Sequence, residues 1–195
     1  MVMKMKRIIA EDKYSKVVFD DEKDEYIKTF TPSLKKKIKF FLKLRKYPGE
    51  NTKYISDILN SIGIKTPYIK KFEKYMVITK DVKGISLKEV LDKETDNKRI
   101  DILLEKYICI VRRIIENKIY YGDFHFNNFL VAGDELFLLD LEDYKKELFF
   151  IFSKKKMLRL LKRKLEKTVS YELQEKGYSY TEIYNRIISG KKIKI

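Results

Sequence analysis

Apolar residues in the first third of the chain follow short extended patterns. Stretches 6–10 and 15–19 are rich in β-branched and aromatic residues, 20–24 is a charged turn, and 25–31 resumes the extended pattern. That predicts three strands in an antiparallel meander. From Pro32 the spacing changes. Leu34, Ile38, Phe41, Leu42 and Arg45 recur at three and four with lysines on the other face, and Pro suits the first turn of a helix. Pro48-Gly49 is expected to break this helix. Tyr54, Ile55, Ile58, Leu59 and Ile62 then mark a second helix, with Gly63 as its stop. Two more strands are predicted at 68–72 and 75–79.

Lys83-Gly84 interrupts the pattern, and Ser86 with Glu89 reads as a capping box. The strongest helical signal spans 100–117, where Leu103, Leu104, Tyr107, Ile108, Val111, Ile114 and Ile115 share one face. A hairpin at 129–131 and 136–139 ends on Asp140. From Tyr144 the chain reads as helical and basic. The order is five strands with two helices between them, then a mostly helical half. This is an α+β chain with a small antiparallel sheet lobe (1–82) on a mostly helical lobe (83–195) and a cleft between them.

Composition narrows the classes. Apolar residues make up 44% of the 195 positions and charged residues 37%, with only 7 Gly and 3 Pro, which excludes a disordered or loop-dominated chain. The formal charge of +15 favours anionic partners. An AT-rich coding bias would produce the same abundance of Lys, Ile, Tyr, Phe and Asn, with the lysines on solvated helix faces. One cysteine, Cys109, excludes an internal disulfide and paired-Cys zinc sites, and a single His excludes a His-rich metal site. Cys109 lies inside an apolar helical pattern and is expected to be buried. Neither a signal-peptide pattern at the N-terminus nor an apolar run of membrane-spanning length is visible. A cytoplasmic protein is expected, with peripheral membrane contact as one use of its charge.

Asp123, His125, Asn128 and Asp140 carry the candidate chemistry. Phosphoryl transfer needs a base for the acceptor hydroxyl and oxygen ligands that hold magnesium against phosphates. A carboxylate at a loop start, an amide five residues on and a second carboxylate after an apolar strand supply those groups from different directions. Lys28 adds a cation. Alternation along 25–31 places it on the face of Tyr26 and Phe30, where a lysine is costly unless it reaches a ligand or partner. A snorkelling edge-strand lysine would read the same way.

The motif Gly122-Asp123-x-His125-x-x-Asn128, with Asp140 twelve residues after the Asn, resembles the catalytic loop and metal-binding Asp of the protein-kinase-like superfamily, in the form used by aminoglycoside and sugar kinases. The resemblance implies a bilobal kinase fold. In it, Asp123 is the catalytic base, Asn128 and Asp140 ligate Mg2+, and His125 lies near the transferred phosphate. Lys28 steadies the phosphates of ATP, with Glu50 at the start of the second helix either as its partner or simply stabilising the helix N-terminus. The backbone of Lys80 and Val82 meets adenine at an interlobe hinge.

Three departures stand out. Tyr121 replaces the usual His before Gly-Asp. Glu142 replaces the Gly that commonly follows the metal Asp by two, which argues against a mobile activation segment. Residues 11–16 replace the glycine-rich loop, leaving Ser15 or backbone N–H groups to cover phosphate. Residues 28–32, 35–37, 40–41, 122–125, 128–131 and 138–141, with the Lys-rich stretch 153–163, further resemble bacterial lipopolysaccharide core heptose kinases. That implies ATP-dependent phosphorylation of a sugar hydroxyl on an anionic glycolipid at the cytoplasmic face of the inner membrane. Lys154, Lys155, Lys156, Arg159, Lys162, Arg163, Lys164 and Lys167 form a basic helix that either approaches such a surface or is simply solvated. Two other readings stay open: a small atypical serine/threonine protein kinase, and a nucleotide- or RNA-binding pseudokinase. No RNA-binding motif is visible, so no nucleic acid partner is expected.

Overall fold

The structure, a computed structural model, describes residues 6–146 and 150–189. Strands β1 (Lys6–Glu11), β2 (Ser15–Asp20) and β3 (Glu25–Phe30) form the expected meander. Helices α1 (Leu34–Phe41) and α2 (Pro48–Ser61) follow, then β4 (Ile69–Glu73) and β5 (Met76–Lys80). β5 pairs with β3 and leaves β4 at the edge, giving a five-stranded antiparallel sheet ordered β1-β2-β3-β5-β4.

The connection between the two helices differs from the expectation. α1 already ends at Phe41: Lys43 takes a left-handed φ of 53°, and the Leu44 N–H returns to the Lys39 carbonyl at 2.9 Å. Pro48 does not break a helix but opens α2, where its missing N–H has no intrahelical partner to lose. Gly49 is required there. Its N–H donates to the Lys74 carbonyl at 3.1 Å, and a Cβ would stand 1.9 Å from the Glu73 carbonyl oxygen. α2 therefore starts hard against the β4–β5 turn.

The rest of the described chain comprises β6 (Ile85–Ser86), α3 (Leu87–Lys93), α4 (Asn97–Glu116), β7 (Ile119–Tyr120), β8 (Phe129–Ala132), β9 (Glu135–Leu138), β10 (Lys145–Lys146), α5 (Phe150–Thr168), α6 (Tyr171–Glu175) and α7 (Tyr180–Ser189). The Ser86 hydroxyl caps α3 by accepting the Glu89 N–H at 3.2 Å. α4 buries the face read from its periodicity, from Ile100 and Leu103 through Tyr107 to Ile114. Tyr107 centres the core: its ring meets those of Phe126 and Phe129 edge-on at 4.9 and 4.8 Å, and its hydroxyl donates to the Phe124 carbonyl. Met157, Leu161 and Leu165 of α5 close the core from the other side. Cys109 is exposed, against the expectation of burial, because it falls one step outside the α4 stripe. Among the described residues no helix is long and apolar enough to cross a membrane.

Candidate active site

A cleft of about 390 Å3 lies between the sheet and the β8–β9 hairpin. Tyr26, Lys28 and Phe30 line it from β3, the face that strand alternation assigned to them. Thr79, Lys80 and Val82 line it from the end of β5, and Leu138, Asp140 and Glu142 from the other wall.

Lys28 is brought to Asp140 across 112 positions of sequence; its Nζ lies 2.7 Å from Asp140 Oδ1 and 2.7 Å from Glu142 Oε1. Burial by itself would lower the pKa of this ammonium, but the carboxylates of Glu142 and Asp140 outweigh it and hold the pKa above its ordinary value. Burial pushes the Glu142 carboxyl up, against the pull of Lys28, while neighbouring Asp140 adds to the rise. The turn that presents both acids is strained. Asp140 adopts a left-handed backbone, φ 55° and ψ 54°, before the 3-10 turn Leu141–Asp143. Such geometry in a non-glycine residue costs about 1–3 kcal/mol and clusters at functional sites.

Glu50 is not the partner of Lys28. It stays in the first turn of α2, and the residue after it makes the contact with the turn that follows Asp140: Asn51 Nδ2 donates to the carbonyls of Glu142 and Tyr144, each at 2.9 Å. The turn after left-handed Asp140 places Glu142 within 2.7 Å of Lys28 on β3.

On the helical side, Asn128 holds the loop together. Its Nδ2 donates to the Tyr121 hydroxyl at 2.7 Å and to the Asp123 carbonyl at 2.8 Å. A carbonyl can only accept, so the amide nitrogen faces Asp123 and the amide oxygen is left for another ligand. The Asn128 carbonyl accepts the Leu139 N–H at 2.9 Å, which ties this residue to the strand end that carries Asp140. Tyr121 stacks on buried Tyr144, ring centroids 3.5 Å apart.

The Asp123 side chain is half exposed, and its Oδ1 lies 2.6 Å from Lys164 Nζ, an ion pair without hydrogen-bond geometry. Lys164 belongs to α5 and was not singled out as a site residue by sequence. It is one of a run of basic residues, and only the packing of α5 shows which of them turns inward. His125 Nε2 is 3.7 Å from the same Asp123 oxygen, and its Nδ1 is 2.5 Å from Thr168 Oγ1. Burial lowers the His125 pKa and Lys164 lowers it further, against the opposing pull of Asp123, so the ring is held towards its neutral form.

Two softer expectations turn out unevenly. The Lys80 N–H is committed to the Tyr68 carbonyl at 3.0 Å, whereas the backbone of Val82 has no such bond among the described residues. Among the described residues the open backbone N–H of this segment is therefore at Val82 rather than at Lys80. Between β1 and β2, Asp12 Oδ1 accepts the N–H groups of Tyr14 and Ser15 at 2.6 and 2.7 Å. The turn thus satisfies with its own carboxylate the donors expected to cover phosphate.

Two of these side chains have the donor chemistry that would suit a magnesium ion. Asn128 offers a neutral amide oxygen, and Asp140 a carboxylate whose side chain is 52% exposed. Magnesium takes one or two such protein oxygens and completes its shell with phosphate and water. Among the described residues no group of three His, Cys, Asp or Glu side chains forms a metal cage. No protein-family model matches the chain, and no curated protein is similar enough to mark a relative.

Proposed function

We propose that the chain is an ATP-dependent phosphotransferase of bilobal, protein-kinase-like fold, with a nucleotide-binding lobe at 1–82 and a catalytic lobe at 83–195. One observation carries the reading: Lys28 of β3 meets Asp140 at 2.7 Å inside the cleft. Strand alternation and the loop motif point to these two residues separately, and donor-phosphate lysine and metal carboxylate must be neighbours for phosphoryl transfer.

In this reading ATP enters the cleft with its base towards Val82 and its phosphates towards Lys28. Asn128 and Asp140 would hold a magnesium ion, which would supply positive charge against the phosphates. Asp123 takes the proton of the acceptor hydroxyl. The acceptor oxygen bonds to the γ-phosphorus as the bond to the β-phosphate oxygen breaks, and ADP leaves. Lys164 fixes the Asp123 carboxylate and places positive charge beside the reacting phosphoryl group. His125, anchored on Thr168, braces the loop in its neutral form.

The loop's resemblance to sugar kinases and the chain's wider resemblance to heptose kinases favour a sugar hydroxyl of a lipopolysaccharide core as the acceptor. The place of action is then the cytoplasmic face of the inner membrane. The test is transfer of labelled γ-phosphate to lipopolysaccharide core acceptor, with a general protein substrate in parallel and thermal shift by ATP with and without magnesium. Magnesium-dependent ATP stabilisation and labelling of the glycolipid are expected. Asp123→Asn should abolish transfer and leave ATP binding nearly intact. Full activity in that variant, or no thermal shift with the wild type, defeats the reading.

A further inference from the structure

Among the described residues the apolar stripe of α1 has no partner. Leu34, Ile38, Phe41 and Leu42 follow one another at helical spacing, as if to face a core, yet they are 75%, 52%, 81% and 56% exposed. Leu44, just past the helix end, is 73% exposed. Of the helix residues only Phe40 is buried, against Tyr47 and Tyr75. Isolated exposed apolar residues are ordinary; five gathered on one short segment are not.

The charges around the stripe say what covers it. Lys35, Lys37, Lys39 and Lys43 are exposed and make no ion pair among the described residues. No acidic residue occurs between Tyr26 and Gly49. A protein partner would have to bring both an apolar groove and a surrounding ring of acids. An anionic bilayer offers both at once: acyl chains for the stripe and headgroups for flexible lysines that flank it.

We infer that α1 is an interfacial helix that lies in the surface of an anionic membrane, with Leu34, Ile38 and Phe41 below the headgroups and Lys35, Lys37, Lys39 and Lys43 among them. Its placement relative to the cleft gives the contact a use. Lys36 lies 3.7 Å from Asp143, and Arg45 bonds both Asp143 and the Glu142 carbonyl. Docking through α1 therefore sets the turn that carries Asp140 and Glu142 at a fixed place relative to the bilayer. The inference holds whatever group the cleft binds.

Vesicle flotation of the full chain without nucleotide tests it, using phosphatidylcholine alone and an equal mixture of phosphatidylcholine and phosphatidylglycerol. Binding to the mixed vesicles is expected, weakened about 10-fold or more by raised salt and by omission of the anionic lipid. The double substitution Leu34→Ser with Phe41→Ser should weaken it about 10-fold or more with the thermal midpoint unchanged, since both side chains stand in solvent. Ile102→Ser, at a 55% exposed apolar site on α4, should leave binding intact. The inference is overturned if the wild type ignores mixed vesicles, if the double variant floats as well as the wild type, if Ile102→Ser loses as much, or if gel filtration shows a dimer that the double substitution dissolves. Because nucleotide is absent, none of these outcomes bears on the phosphotransfer reading.

Discussion

The sheet and the helical part of this molecule are stabilised to very different degrees, and the candidate site uses one residue set from each. In the sheet strands, Phe19 and Val77 are the buried apolar residues, and every residue of β1 is exposed. The helical part packs Tyr107, Phe124, Phe126, Phe129, Tyr144 and the inner faces of α4 and α5 into one continuous core. Asp123, Asn128 and Asp140 stand on that core; Lys28 stands on the sheet. The groups that would act on the reacting atoms are thus rigidly founded, while the cation that would steady a nucleotide sits on the part of the fold that yields more easily. Local opening free energies follow such differences in burial.

The contrast can be broken most directly in the core. Phe129→Ala empties a fully buried ring position beside Tyr107 and should cost about 3–5 kcal/mol in a urea melt. A loss below about 1 kcal/mol would mean that the helical core is not the stable half. Next comes the seam between the halves. Lys28→Met should lower phosphoryl transfer roughly 100-fold while moving the thermal midpoint less than Phe129→Ala does. An unchanged rate would remove the sheet from the chemistry.

A smaller effect is expected from His125. Its pKa is depressed in the folded state, so its stability contribution is present above the ordinary histidine value near 6.5 and lost as pH falls through the folded value. The wild type should therefore lose stability as pH falls from about 6.5 through the lower folded value, and His125→Gln should flatten this part of the pH–stability curve. An identical acid limb in the two proteins would show that the ring is not held neutral. The smallest change is expected from Ile8→Ser on exposed β1, within about 0.5 kcal/mol of the wild type by the same urea melt. A cost like that of Phe129→Ala would erase the distinction between the halves.

Residues whose role follows from local periodicity were legible in the sequence. The α4 stripe, the meander and the orientation of Lys28 all come from the 3.6- and 2-residue repeats. Residues placed by a turn or by packing at a distance were not. Glu142 reaches Lys28 only because Asp140 turns left-handed, and a non-glycine residue gives little notice of that in sequence. Lys164 is one lysine in a basic run until α5 docks. The kinase resemblance pointed to Glu50 as the partner of Lys28, but the acid two residues after Asp140 makes that contact. Pro48 reads as a breaker and as an N1 residue equally well, and only the close approach of Gly49 to the β4–β5 turn decides it. The exposure of α1 is a failure of a different kind: periodicity gives the helix and the stripe but not what the stripe faces.

The Glu142 pairing also changes what could be used to turn the protein off. When a strand lysine is held by an acid on a separate helix, levering that helix outward disarms the site, and both cellular regulators and drug molecules can exploit the hinge. Here the lysine's two acids are neighbours in one turn, bracketing Leu141, and α2 is pinned to that same turn through Asn51. A compound designed to wedge the helix away would find no lever. If the cleft binds a nucleotide as proposed, an inhibitor would have to enter the cleft itself.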